Sequence, residues 1–231
     1  MTPPDETLQD TLLDAALVHV PFDGWSDTAF VAAAQDIGID DATARAIFSR
    51  GPVDLALAYH ARGDQAMVDR LKSEDLSNLK FREKIAAAVR FRLEAVEDRE
   101  LVRRGTTLFS LPHHAPDGAR AVWQTCDLIW TELGDTSDDV NWYTKRATLA
   151  GVYSATLLYW LGDSSPDYAA TWAFLDRRID EVMQIETLKA KVRGSAILKP
   201  FLAGPDWLAS QIKPPAKMPD LDLPGMMKPR K

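Results

Sequence analysis

Few side chains in this sequence stand where they could do chemistry. His113 and His114, with Asp117 three residues on, are the only adjacent imidazoles. A rigid metal site draws its ligands from helical or strand spacing, and two neighbouring histidines between Pro112 and Pro116 lack it. Cys126 is the single cysteine. It follows Trp123 in an apolar run, so a small buried hydrophobe is a better reading than a nucleophile. The chain contains no glycine-rich phosphate loop and no G-x-S-x-G elbow. The carboxylate pairs Asp40–Asp41 and Asp138–Asp139 fall at expected helix starts, where acids complement the positive end of the dipole. No catalytic residue, metal or cofactor is expected. Arg103–Arg104 is the exception among polar groups: ahead of an apolar turn, a guanidinium fork can hold a phosphate or a quinone head group, with a solvated helix end as the competing reading.

If the chemistry is not in reactive groups, it lies in the apolar ones. Residues 135 to 172 read DTSDDVNWYTKRATLAGVYSATLLYWLGDSSPDYAATW. Ala147 to Leu161 is uncharged, about 22 Å of helix at about 1.5 Å per residue. A membrane span needs about 20 apolar residues, and Lys145 and Arg146 close one end. The expectation is a helix apolar nearly all round, buried on every side as the central element of a bundle. Trp123, Ile129, Trp130, Trp142, Tyr143, Leu149, Tyr153, Leu157 and Trp160 are the candidate walls of an apolar binding site, because aromatic rings supply large rigid contact area. Core packing is the competing reading for each of them.

The rest of the chain is expected to be all-α. Apolar residues recur at three and four, turn signals are mostly Gly and Pro, and β-branched alternation is scarce. The spacing predicts a helix over about 8–19 ended by Pro21 and Gly24, a second capped by Ser26, a third capped by Asp40 or Asp41, and a fourth with Pro52 in its first turn. This succession of short helices and glycine-bearing turns is a helix-turn-helix outline. Beyond it the pattern predicts helices over about 79–104, 119–133, 140–161 and 166–185, the last capped by Ser165.

The 231 residues suffice for one large domain, or for one with a small N-terminal unit. Hydrophobic residues make up 46% and charged residues 26%, ordinary for a globular protein. One cysteine permits no internal disulfide and suits a reducing compartment. The start, MTPPDETLQD, is acidic and has no apolar h-region, and a bacterial cytoplasmic location, or a mature form already trimmed, is expected. The net charge of −7 is unevenly spread. Through Ala61 there are ten acids against two arginines; from Lys191 onward there are eight Lys or Arg against three Asp.

The outline of residues 8 to 60 resembles the N-terminal domain of TetR regulators. Such readers neutralise phosphates with Lys and Arg, whereas this recognition helix opens on Asp40–Asp41, so no nucleic acid is expected. The central stretch closely resembles the signature of the Coq-nine family, accessory lipid-binding proteins of ubiquinone biosynthesis. The match runs through Gly134, Asp135, Ser137, Asp139, Asn141, Trp142, Tyr143, Thr144, Lys145 and Arg146, then Asp163 to Asp167, Thr171, Trp172, Phe174 and Leu175. Leu158 and Ala173 depart from the family pattern, which often has an acid and a base there.

That resemblance implies a TetR-like helical bundle that handles lipid instead of regulating genes. It implies a pocket for isoprenoid quinone intermediates or phospholipid and a homodimer. It further implies peripheral docking on the bacterial inner membrane and presentation of demethoxyubiquinone-type intermediates to a di-iron demethoxyubiquinone hydroxylase. It moves Trp172 from core to partner surface, with Asp163, Ser164, Ser165, Pro166, Asp167, Tyr168 and Asp176. A ligand-responsive TetR-type transcriptional regulator is the alternative. Three segments are expected: 1–61, helix-turn-helix-like; 62–194, lipid-binding; and 195–231, ending in a basic tail with five prolines after Lys213. In this last segment Phe201, Leu202, Trp207, Leu208 and Ile212, beside lysines, suit an interfacial membrane contact or packing against the bundle or a dimer partner.

Overall fold

The structure is a computed structural model that describes residues 4–194, with side chains described for 7–184. All regular elements among these residues are helical: α1 (Pro4–Asp23), α2 (Asp27–Asp36), α3 (Asp41–Ile47), α4 (Pro52–Ser73), α5 (Phe81–Glu94), α6 (Arg99–Ser110), α7 (Ala115–Glu132), α8 (Val140–Gly162) and α9 (Ala169–Gly194). A short 3-10 turn, Pro166–Tyr168, precedes α9. The all-α expectation holds, and several local rules act as expected. Ser26 accepts from the Ala29 N–H to start α2, and Asp40 accepts from that of Thr43 at 2.7 Å to start α3.

The chain forms two compact units. The first comprises residues 4–67 and 94–121. Its core is α1 against α2 and α3, with Leu12, Ala16, Val20, Phe30, Phe48 and Leu55 almost wholly buried. Leu101 of α6 belongs to the same core, and the Trp25 indole N–H donates to its carbonyl at 3.0 Å. A division after residue 61 therefore does not describe the compact units. Helix α6 packs with the N-terminal helices, and the boundary within α4 falls after Met67. Gly118 lets α7 start close beside α6: a Cβ there would lie 2.6 Å from that of Phe109.

The second unit comprises residues 68–93 and, among those described, 122–194. Val89 of α5, Cys126 and Ile129 of α7, Leu149 and Tyr153 of α8, and Leu175 of α9 form its interior. Gly134, at φ +80°, ends α7 in the left-handed conformation that glycine adopts without steric cost.

Three expectations need correction. Residues 79–104 do not make one helix. Asp98 accepts from the Glu100 N–H and caps a new helix, α6, which takes in RRGTTLFS before Pro112 stops it. Helix α1 continues through Pro21, although proline has no N–H for the Leu17 carbonyl and crowds it, and the helix ends two residues later at Asp23. Helix α8 is not buried on every side: Ala147, Thr148, Gly151, Leu158 and Tyr159 are exposed, Leu158 to 60%. Absence of charge showed only that burial there is inexpensive, and neighbours cover just one face.

Trp25→Phe keeps an aromatic ring but removes the indole donor from the Leu101 carbonyl, which as an interior carbonyl of α6 keeps its helical position. Urea denaturation should show a loss of about 0.5–1.5 kcal/mol; an unchanged midpoint would mean that the bond contributes nothing net.

Candidate functional site

The site is best built from the loop between α7 and α8. Asp135 follows Gly134, and its N–H donates to the Trp130 carbonyl at 2.9 Å, so its carboxylate is turned back under the helices. There it accepts from Lys145 Nζ at 2.7 Å, from Ser137 Oγ at 2.8 Å and from Arg146 Nη1 at 3.0 Å. Both Asp135 and Arg146 side chains are only 2% exposed. The Arg146 guanidinium also donates through Nε to Asp127 of α7 and through Nη1 to the Trp142 carbonyl, and it stacks 4.0 Å from the Trp142 ring centre. Burial by itself would raise the Asp135 pKa. The hydrogen bonds from Lys145, Ser137 and Arg146 outweigh it and bring the group down to about 2.

This clamp holds an aromatic cluster at the start of α8, where Asp139 caps the helix by accepting from Asn141 N–H. Trp142 and Tyr143 meet edge to face at 4.8 Å, and Trp123 of α7 lies 5.9 Å from Trp142 and 6.4 Å from Tyr143. All three are half-buried. The remaining apolar candidates lie deeper in the unit. Ile129, Trp130, Leu149, Tyr153 and Trp160 are buried; the Trp130 ring lies tilted at 5.5 Å from that of the half-exposed Phe81, and its indole N–H has no partner among the described residues. Leu157 is half-buried. Arg104 is not brought to this cluster within the unit. It belongs to the first unit, where Nη2 donates to the Pro21 carbonyl at 2.9 Å and Nε lies 3.0 Å from Glu100.

The other expected surface lies at the α8–α9 junction. Asp163 is its anchor. Oδ2 accepts from both the N–H and the hydroxyl of Thr171, and Oδ1 from the Ser165 N–H. These bonds, the Thr171 hydroxyl first, lower its pKa to about 2. Asp163 and Thr171 are buried; Ser164, Pro166, Asp167 and Asp176 are exposed; Ser165, Tyr168 and Trp172 are half-buried. Trp172 donates to the Asp167 carbonyl at 2.8 Å, and Arg90 of α5 sits 4.9 Å from its ring centre. The sequence reads Ser165 as the cap of a helix starting at Pro166. Ser165 does cap α9, through the Ala170 N–H, but only after the 3-10 turn.

Sequence reasoning gives the Asp127–Arg146–Asp135–Lys145 network no role. Two basic residues opening an otherwise uncharged helix, and the place of Asp135, Lys145 and Arg146 in the signature motif, are its visible signals. Among the described residues no group of three or more potential metal ligands occurs. Asp117, beside His114, is instead bound by Arg50 at 3.0 Å. No helix among them is long and apolar enough to cross a membrane. Phe201, Leu202, Trp207, Leu208 and Ile212 lie outside the described residues. On α3, Arg45 is tied to Asp41 and Asp27 at 3.0 Å each.

Asp135 and Asp163 both have folded pKa values below the ordinary carboxylate value of about 3.9. Their contribution to stability is therefore complete above about pH 4 and is lost as pH falls toward about 2. Asp135→Ala leaves Arg146 buried with one of its two carboxylate partners, and should cost about 3–5 kcal/mol in denaturant unfolding at neutral pH. A loss below about 1 kcal/mol would show that water replaces the carboxylate.

Residues 115–186 match the model of the COQ9 (Coq-nine) family. The chain is 34% identical over 206 residues to the mitochondrial ubiquinone biosynthesis protein COQ9-B of Xenopus laevis, covering 84% of this chain and 70% of that one. It is 34% identical over 206 residues to COQ9 of Xenopus tropicalis and 33% over 200 residues to COQ9 of Homo sapiens. Of those two it spans 64% and 62% of the length. A solved structure, the TetR transcriptional regulator from Nitrosomonas europaea, superposes with a TM-score of 0.63 at 20% identity, covering 76% of this chain and 97% of its own. That likeness establishes a TetR-like fold. The family match takes in the clamp and the aromatic cluster it holds, and with the identity to COQ9-B across most of both chains it establishes that the chain belongs to the COQ9 family.

Proposed function

We propose that this chain is a lipid-binding accessory protein of ubiquinone biosynthesis, with no catalytic group of its own. It binds isoprenoid quinone intermediates and hands them to a di-iron demethoxyubiquinone hydroxylase, whose metal does the chemistry. The relatives' names supply the pathway. The observation in this chain that favours lipid is the Trp123–Trp142–Tyr143 cluster. Three large rings are left half-exposed, yet they are fixed from beneath by a buried ion-pair network, an arrangement that keeps rigid apolar contact area available. In this reading the deeper apolar residues of the second unit line the path of the tail. Membrane contact falls to 195–231, at a peripheral site.

The exposed face of α8 suits a second copy of the chain. Ala147, Thr148 and Gly151 allow close approach; Leu158 and Tyr159 supply apolar area, with Tyr159 stacked on Phe174 at 4.6 Å. Leu158 replaces the acid of the family pattern, so this stripe carries no charge. The transcriptional regulator reading finds no support in α3, whose arginine is already occupied by two aspartates.

The decisive experiment is extraction of the purified protein and mass spectrometry of what it carries. Quinone precursors or phospholipid in near-stoichiometric amount are expected, reduced at least about tenfold by Trp142→Ala, since truncating an aromatic anchor commonly costs about 2 kcal/mol or more of binding. Lipid-free protein that also fails to take up a short-chain quinone overturns the reading. Trp172→Lys should abolish capture of the hydroxylase without changing the helical circular dichroism. Gly151→Arg tests the dimer face: a Cβ at Gly151 meets nothing within 4 Å in the single chain. The variant should therefore fold and run as a monomer in light scattering, and a dimer of unchanged strength would place the contact elsewhere.

A further inference from the structure

Asp167 and Tyr168 both have positive φ, 52° and 55°, and neither is glycine. Left-handed conformations are uncommon for residues with a Cβ, more so for a bulky aromatic, and two in succession persist only where the surroundings impose them. The surroundings here are well defined. Asp163 holds the turn's entry through Ser165 N–H and its exit through the Thr171 N–H and hydroxyl; Ser165 Oγ accepts from Ala170 N–H, and its carbonyl from Tyr168 N–H at 3.1 Å. A turn needed only to join α8 to α9 would be met more easily with glycine at these positions.

The left-handed turn has one consequence beyond joining the helices. It aims the Asp167 carbonyl at the Trp172 indole, which donates to it at 2.8 Å. The indole N–H, the one polar group of the Trp172 side chain, is thereby satisfied within the chain, and the half-buried ring is held in one orientation. Tyr168 meets it edge-on at 6.5 Å, and the exposed Arg90 lies over it at 4.9 Å from the ring centre. From this geometry we infer that Asp167 is a positioning residue: its strained backbone locks Trp172, with Arg90 above it, in the arrangement that a docking protein reads. The inference rests on the docking role assigned to Trp172 above. It adds Arg90 of α5 to that surface and assigns Asp167 a backbone task, where the sequence offers only its carboxylate. A preformed surface spares the partner the entropy of ordering it, and this is where the strain is recovered.

The test uses the full chain and the di-iron hydroxylase from the same organism. Asp167→Gly removes the Cβ that makes the turn strained and frees the backbone; Asp167→Asn removes the charge but keeps a residue that tolerates the left-handed region. The glycine variant should melt no lower than the parent yet bind the hydroxylase about tenfold more weakly, while the asparagine variant stays within about twofold. In fluorotryptophan-labelled protein, the fluorine resonance of Trp172, assigned through Trp172→Phe, should broaden or split in the glycine variant alone, with no partner present. Unchanged affinity and an unchanged resonance in the glycine variant overturn the inference. Equal losses in both variants also overturn it, by showing that the partner reads the carboxylate. If Trp172→Lys leaves capture intact, the docking role itself is wrong, and the fluorine signal still decides whether the turn positions the ring.

Discussion

The second unit is organised around one buried charge. Arg146 stands in the second turn of α8, almost wholly removed from water, and an isolated guanidinium there would be prohibitively costly. It is tolerated because carboxylates reach it from two different places: Asp127 from α7 and Asp135 from the loop after Gly134. Such a network contributes less to net stability than its bond count suggests, because removing the ions from water offsets most of the attraction. Its effect is on register. Only one seating of α8 against α7 satisfies all the partners, and that seating sets Trp142 and Tyr143 beside Trp123.

The same logic recurs at the other end of α8. Asp163 is a buried carboxylate satisfied by hydroxyl and backbone donors instead of cations, and it fixes the entry to α9 as Asp135 fixes the entry to α8. The helix whose middle carries no charge is thus anchored at both ends by aspartates. Between them its inner face packs by shape alone, and its outer face is left uncovered. Polar groups thus specify geometry at the two ends of α8, and the length between them is left to apolar contact.

The first unit keeps a regulator's outline without its electrostatics. Ser26, Asp40 and Pro52 start their helices as they would in any helix-turn-helix, so the fold survives. What a phosphate backbone requires is a surplus of cations on α3, and Arg45 is already paired within the protein. Fold and partner are therefore governed by separate residues, and charge can change one without disturbing the other.

Much of this was legible in the chain itself. Helix existence, most caps and the family motif follow from local rules, because a cap or a proline acts on its own neighbours within a turn. The identity of Trp172 and the Asp163–Asp167 block is likewise a property of sequence. The break before Asp98 was not legible, since 79–104 carries one continuous helical period, and α5 stops at Glu94 before Asp98 caps the next helix. Nor could periodicity show which face of α8 lies open, for an uncharged helix fits equally well buried or exposed. Arg104 illustrates the remaining limit. Its partners, the Pro21 carbonyl and Glu100, include one 83 positions away. The tertiary structure alone decided which charges meet, which rings are left half-exposed and where the backbone is strained, because each of these depends on residues brought together across the chain.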